Sequence, residues 1–172
     1  MTLLVRPATL TDARAIAQIQ FDGMRAAYRD IVAPDVLAAL DVDRLAADRA
    51  RMIPERRAQG GEIFVAAADE QPVGFASCGP PRDADIDPSI SVELYAIYAR
   101  ADRWRTGIGR ALIAAVEAHS LARGPTEQHL WVFERNERAR AFYEQVGYGW
   151  DGARKPNGMF GGAIEVRYRR SL

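Results

Sequence analysis

The sequence predicts a mixed α/β fold, in which short strands and amphipathic helices lie in one chain. Residues 95–112 begin as a strand, break at a polar, arginine-rich loop and pass through Gly107 and Gly109 into a helical pattern. Residues 128–134 are predicted to form a strand, whose apolar run over 130–133 suits coverage on both faces, and a helical pattern capped by Asn136 follows it. A length of 172 residues, 48% apolar and 27% charged, predicts one soluble domain over 1–172.

The first third of the chain is predicted to be a short strand followed by helices. Residues 3–7 have the pattern of a strand that a proline ends, and Thr9 with Asp12 resembles a capping box at the start of the first helix. Further helical pieces are expected over 24–29 and 35–53, with a loop directly after them. Most of the charges in these helices are expected on a solvated outer face.

The middle of the chain is predicted to be a hairpin with strands at 62–68 and 72–79, followed by an acidic loop over 80–88. The aspartate spacing in this loop is similar to the start of a calcium site, but Pro88 stands where such a site needs glycine, so calcium is rejected. Cys78 is the only cysteine, and a small buried residue is favoured there over a catalytic thiol. Neither histidine has clustered partners, so no metal is predicted.

Glu93 is a carboxylate within an otherwise apolar strand. Strict alternation from Ser91 places it on one face with Tyr95 and Ile97, and the opposite face then carries Val92, Leu94, Ala96 and Tyr98. Burial would raise the pKa of Glu93 toward neutrality, as a general base requires. The alternative is that Glu93 only pairs with an arginine at the rim of the sheet, and the residues alone favour neither.

Gly107 and Gly109 lie where a strand passes into a helix. The first backbone N–H groups of a helix have no partner within it and carry partial positive charge, so phosphate is the expected ligand. Arg103, Arg105 and Arg110 could add full charges. A short G-x-G is a weak motif by itself, and a plain strand-to-helix connection is the alternative.

The last third of the chain is predicted to be a strand, a helix and a strand pair. The helix from Asn136 has an inner stripe that contains Tyr143, and a glycine ends it. A tyrosine on such a stripe is more often a core residue than an acid catalyst. Alternating segments at 150–154 and 163–169 complete the fold as a pair of strands.

Two of these motifs, taken together, resemble the GNAT superfamily of acyl-CoA-dependent N-acyltransferases. The first runs from ELYAIY at 93–98 to RTGIGRAL at 105–112, and the second is NERARAFYEQVGY at 136–148. They occur in the order typical of the family, with a strand between them. One position departs from the family pattern: Trp104 stands where the family has Gln or Arg, which affects one side-chain contact but leaves the backbone groups of the loop in place.

The resemblance implies a twisted mixed sheet of six to seven strands with helices on both faces. It also implies that the strand with Ile97 splays from the strand with Trp131, and that acetyl-CoA, as co-substrate, lies with its pantetheine arm in that gap. No metal is required. The cofactor-binding residues that follow from the resemblance are Ile97, Tyr98, Arg103, Arg105, Thr106, Gly107, Ile108, Gly109, Arg110, Asn136 and Ala139.

The activity that the resemblance implies is transfer of an acetyl group to a primary amine, directly within a ternary complex. Glu93 would be the general base, acting through water, and Tyr143 would protonate the leaving thiolate of CoA. Met24 and Tyr28 would line the entrance for a small-molecule or peptide acceptor. The rival hypothesis is a non-catalytic acyl-CoA-binding regulatory domain, and retention of both Glu93 and Tyr143 argues against it.

Composition restricts the other partners. Lysine plus arginine and aspartate plus glutamate number 23 each, so no general attraction for nucleic acid or acidic membranes is expected. The sequence shows no signal peptide and no apolar run of membrane-spanning length, which predicts a cytoplasmic protein. A homodimer is a further expectation from the resemblance.

Overall fold

The computed structural model describes residues 3–172, which form a seven-stranded sheet in the order β1-β2-β3-β4-β5-β7-β6. Neighbouring strands are antiparallel except β4 and β5, which are parallel. The strands are β1 (Leu3–Pro7), β2 (Glu62–Ala68), β3 (Gln71–Gly79), β4 (Ser91–Ala99), β5 (Glu127–Phe133), β6 (Gly149–Asn157) and β7 (Ala163–Ser171). The helices are α1 (Ala13–Ala27), α2 (Pro34–Ala38), α3 (Val42–Ala58), α4 (Ile108–Leu121) and α5 (Glu137–Gln145).

Helices cover both faces of the sheet. On one face α4 buries Ile108, Leu112 and Val116 in the larger apolar cluster, which also takes in Tyr143 of α5. On the other face a second cluster joins α1 and α3 to the sheet, with Ile16 among its buried residues. The predicted mixed α/β fold with a sheet of six to seven strands is therefore confirmed.

The N-terminal helices differ in their limits from those predicted. Residues 24–27 complete α1 instead of starting a second helix, and α3 continues through Pro54 to Ala58. Tertiary contacts offset the cost of a proline within a helix. Ile53 is buried, and the guanidinium of Arg57 donates to both carboxylate oxygens of Glu62 at 3.0 Å.

A β-bulge in β4 changes which side chains share a face. Leu94 pairs with Cys78 and Ala96 pairs with Ser77, so Tyr95 is an extra residue without a partner position on β3. An extra residue shifts the alternation of all that follow it. Beyond Leu94 the predicted alternation is therefore wrong: Ile97 joins the cluster under α4, whereas Ala96 packs with the cluster under α1 and α3.

Within residues 3–172, no helix is both long and apolar enough to cross a membrane.

Candidate active site

The centre of the sheet opens where β4 separates from β5. The two strands pair from Ser91 with Glu127 to Leu94 with Leu130, and the register ends there, although β4 continues to Ala99. A cavity of about 130 Å³ occupies the opening. The predicted splay is thus confirmed. The cavity lies among Gly23, Ala27, Tyr28, residues 94–99, Trp104, residues 131–133, Asn136, Arg138, Ala139, Tyr143 and Glu165.

The loop after β4 leads into the N-terminus of α4, and its last residues, 105–107, are exposed. Gly107 has φ +90°, a left-handed conformation that favours glycine, and a Cβ built there would have no atom within 4 Å. Open space in front of unpaired helix N–H groups is what an anion requires. The conformation and the surroundings of Gly107 therefore suit the predicted phosphate site.

Gly109 has a different structural role from Gly107. A Cβ at Gly109 would lie 2.9 Å from the ring of Phe142, so its missing side chain lets α5 pack close to α4. The side chain of Ile108 is buried in the core, which leaves only its backbone to face a ligand. Arg105 has φ +64° and is exposed, as are Thr106 and Arg110.

Trp104 connects this loop to α5. Its indole Nε1–H donates to the carbonyl of Ala99 at 3.0 Å, and the guanidinium of Arg138 lies 3.3 Å from the centre of its ring. Burial lowers the pKa of Arg138, and the nearby charge of Arg105 lowers it further. Trp104 therefore helps to hold Arg138, an arginine of α5, beside the arginines of the loop. The side chain of Arg103 is half-buried, and its backbone carbonyl accepts the hydroxyl of Thr106 at 2.6 Å.

The α5 side of the cavity carries the second predicted motif. Asn136 caps the helix by accepting the backbone N–H of Ala139 at 3.2 Å, which leaves its amide N–H₂ available as a donor. Tyr143 is 8% exposed and lines the cavity. Burial raises the pKa of Tyr143 far above its usual range, so its hydroxyl stays protonated.

The pKa of Glu93 is lowered, so the prediction that burial would raise it toward neutrality is wrong. The carboxylate is 1% exposed, and it accepts the backbone N–H of Arg82 at 2.9 Å and Nε of the same residue at 3.1 Å. Burial acts to raise the pKa of Glu93, but His129 and Arg82 outweigh it and lower the pKa to about 2. The alternative, pairing with an arginine, is the arrangement that the structure contains.

The surroundings of Glu93 include residues that sequence reasoning missed. His129 is fully buried, and its Nδ1 lies 2.9 Å from the hydroxyl of Ser91. Its Nε2 lies 3.8 Å from carboxylate oxygens of both Asp83 and Glu93. Asp83 belongs to the acidic loop, so two of the aspartates that resembled a calcium site, Asp83 and Asp85, fold back onto the sheet, where both lie beside Arg167. The one sequence feature that could have indicated the cluster of His129, Asp83 and Glu93 is the histidine within the predicted strand 128–134.

The predicted acceptor residues separate in the structure. Tyr28 lines the cavity, and its hydroxyl lies 2.7 Å from that of Tyr98. The ring of Tyr28 also packs edge-on against Phe133 and Phe160, with centroids 4.9 Å and 5.9 Å away. Met24 is buried and is not among the residues that line the cavity, so the structure places it in the core.

Comparisons with known proteins agree with the geometry. Residues 26–148 match the model of the Acetyltransferase (GNAT) family. The uncharacterized N-acetyltransferase YuaI of Bacillus subtilis (strain 168) is 36% identical over 133 residues, 77% of this chain and 72% of YuaI.

Solved structures share the fold. The PaiA N-acetyltransferase from Thermoplasma acidophilum in complex with coenzyme A superposes with a TM-score of 0.79 at 16% identity, over 100% of both chains. The putative acetyltransferase YncA from Salmonella typhimurium with its cofactor acetyl-CoA has a TM-score of 0.74 at 18% identity, over 100% of this chain and 95% of YncA. Because the family match covers more than half of its residues, the chain belongs to the GNAT acetyltransferase family and is an acyltransferase.

Proposed function

We propose that this acyltransferase transfers the acetyl group of acetyl-CoA to the primary amine of an acceptor, directly and within a ternary complex. The observation that carries the proposal is the opening between β4 and β5, whose cavity extends from Trp104 beside the α4 loop to Tyr143. A cofactor with an anionic end and an extended arm matches an anion site at one end of an open strand edge.

The cofactor would be held mainly by backbone groups. The N–H groups of residues 105–110 would receive the pyrophosphate, with Arg103, Arg105 and Arg110 as charged neighbours. Among the residues that the structure describes, no strand pairs with the cavity-facing edge of β4 beyond Leu94. The amides of pantetheine would pair with that edge at Ile97 and Tyr98. The side chains of Thr106, Asn136 and Ala139 would border the cofactor elsewhere, and Ile108 would meet it with its backbone only.

The reaction would proceed at the end of the arm. The acceptor nitrogen attacks the thioester carbonyl, so that a C–N bond forms and the C–S bond breaks. The ammonium loses two protons overall: one is released to water, and the second balances the proton that the thiolate gains. A backbone N–H at Ile97 would stabilise the developing oxyanion. Tyr143 would donate a hydrogen bond to the leaving sulfur, because a hydroxyl with so high a pKa keeps its proton.

Glu93 is not the general base in this proposal. A carboxylate with a pKa of about 2 is a weak base. Water in the opening of the sheet would remove the proton from the amine. The role of Glu93 would be to hold Arg82 in place. Direct transfer is favoured over an acyl-enzyme because burial raises the pKa of Cys78 to about 11 and the thiol is 0% exposed.

The test is calorimetric titration with acetyl-CoA, followed by assay of thiol release against a panel of primary amines on the same sample. Binding with release of CoA for one class of amine supports the proposal and names the acceptor class. Binding without release for any amine would favour the non-catalytic regulatory domain. Absence of binding would contradict the assignment of the α4 loop to phosphate.

A further inference from the structure

Glu165 is a charged residue of the cavity wall that the motifs do not include. It lies on β7, opposite Phe133 of β5 and Lys155 of β6. Within the described chain, the charged side chains that line the cavity are Arg138 and Glu165. Arg138 stacks on Trp104 beside the α4 loop, so it belongs to the end assigned to phosphate. Glu165 therefore gives the cavity a negative charge from β7, on the β5 side of the opening.

The carboxylate of Glu165 is positioned by a neutral donor. The Nδ2–H of Asn157 donates to its Oε1 at 2.9 Å. Lys155, the partner of Glu165 on β6, contacts other residues: its Nζ lies 3.1 Å from Oδ1 of Asp83 and 3.7 Å from the centre of the Trp131 ring. A carboxylate accepts about four hydrogen bonds, so one bond to an amide leaves capacity for a charged ligand.

Aromatic residues line the same cavity as Glu165, and one of them, Phe133, is its partner on β5. Phe133 and Phe160 pack edge-on with centroids 5.4 Å apart, and both contact the ring of Tyr28. Tyr28 and Tyr98, whose hydroxyls lie 2.7 Å apart, line the same cavity as Glu165. Burial raises the pKa of both tyrosines, and the charge of Glu165 raises it further. A carboxylate beside aromatic faces and phenol hydroxyls is the chemistry that binds an organic ammonium ion.

We infer that Glu165 binds the ammonium group of the acceptor, and that the acceptor is a cationic primary amine with an apolar or aromatic group next to the amine. The inference rests on the proposed function. It adds that amine acceptors enter charged and are held at β7 before they lose a proton. Acceptors that carry an anionic group next to the amine are disfavoured, because that group would meet the Glu165 carboxylate.

The experiment measures KM and kcat for the best amine of the panel with Glu165→Gln and with a matched control, Glu134→Gln. Glu134 directly follows Phe133 in the chain. Its carboxylate pairs with Arg154 at 3.0 Å and does not line the cavity. The expected result is a rise in KM of about 10- to 100-fold for Glu165→Gln, since a hydrogen bond to a charged group is lost. The acetyl-CoA affinity of this variant and the KM of the control should match the unmodified protein.

A second measurement separates charge recognition from loosened structure. The amine and its hydroxyl analogue are compared as competitive inhibitors, and the preference for the charged compound should disappear in Glu165→Gln. If that variant does not fold, Glu165→Asp, which keeps the charge, should retain the preference for the amine. Equal KM values for Glu165→Gln and an active unmodified protein would overturn this inference alone. Absence of acetyl-CoA binding by the unmodified protein would overturn the proposed function, and this inference with it.

Discussion

Two tyrosines of one cluster have different surroundings, and the difference decides which of them can act on a substrate. Tyr143 and Tyr148 lie with ring centroids 5.8 Å apart. The hydroxyl of Tyr148 donates to Oε1 of Gln128 at 2.6 Å in the core, whereas Tyr143 lines the cavity. Tyr148 therefore supports the packing, and Tyr143 is the tyrosine proposed to act on the thioester sulfur.

We expect Tyr143→Phe to lower kcat by about 10- to 100-fold, the effect of losing a hydrogen bond to a charged group in the transition state. Acetyl-CoA affinity should not change, because the contacts proposed for pantetheine and phosphate are made by other residues. Steady-state assays of thiol release and calorimetry measure the two quantities. Tyr148→Phe is the control: it should reduce thermal stability and leave kcat unaltered. An unaltered kcat in Tyr143→Phe would remove this residue from the chemistry.

Glu93 provides a prediction about stability. Its pKa is lowered from 4.5 to about 2 in the folded chain. A lowered carboxylate pKa stabilises the fold above the unfolded-state value, and the stabilisation is lost as the pH falls from about 4.5 through 2. We expect Glu93→Gln to lower the free energy of unfolding by up to about 3 kcal/mol at pH 7 and by much less near pH 2. Urea unfolding at both pH values measures this.

The control for Glu93→Gln is Glu55→Gln. Glu55 pairs with Arg51 at 2.9 Å on the surface, with both side chains about half exposed, so its loss should change stability little at any pH. A stability difference for Glu93→Gln that is the same at pH 7 and at pH 2 would contradict the lowered pKa. The pH dependence of kcat should not shift in Glu93→Gln, because the carboxylate is ionised throughout the range of an enzyme assay.

Glu93 also shows what the sequence could not indicate about a single residue. Its place in an apolar strand predicted that it would be buried, and it is. The sign of its pKa shift depends on Arg82, whose loop folds back over the strand, and on His129 of the parallel neighbour. Both contacts arise from tertiary structure, and no local pattern encodes them. The same holds for Glu165, which alternation identifies only as a strand residue.

At the scale of elements, the N-terminus of α4 is the feature on which the proposed function depends most. We expect Gly107→Asp to weaken CoA binding at least about 100-fold, because two negative charges in close approach repel by several kcal/mol. Calorimetric titration with CoA measures the affinity. The same variant should not be less stable than Gly107→Asn, since a negative charge is favourable at the start of a helix that has no anion bound.

Gly107→Asn is the matched control for that prediction. Asparagine and aspartate have similar shapes, and both tolerate the left-handed backbone that Gly107 adopts with φ +90°. The asparagine variant should lose at most about 10-fold in affinity. Equal losses for the two variants would indicate that bulk, and not charge, matters there, and the phosphate assignment of this loop would not stand.

Elements were predicted well where their limits follow from a local sequence pattern. They were predicted poorly where contacts with a neighbouring element determine their limits or register. The seven strands and the glycine turn before α4 follow from alternation and breaker residues within each segment. The bulge at Tyr95 depends on the register against β3, and the continuation of α3 through Pro54 depends on contacts of the helix with the sheet. Neither is written in the local sequence.

At the scale of the whole molecule, the sheet consists of two halves that share one short parallel pairing. Strands β1 to β4 form one half, and β5, β7 and β6 form the other, joined by the four residue pairs from Ser91 with Glu127 to Leu94 with Leu130. A ligand that fills the opening would bridge the halves. Its binding should then stabilise the molecule beyond the residues that it touches.

We expect hydrogen exchange to show this bridge. Saturating acetyl-CoA should slow exchange of the amides at 95–99 in β4 as well as those at 105–110, because pantetheine would pair with the open strand edge. At about 100 times its Kd, acetyl-CoA should also add about 3 kcal/mol to the stability. ADP, which has the pyrophosphate but lacks the arm, is the control and should slow exchange only at 105–110. If acetyl-CoA leaves residues 95–99 unprotected, the arm does not lie between β4 and β5, and the splay must serve another purpose.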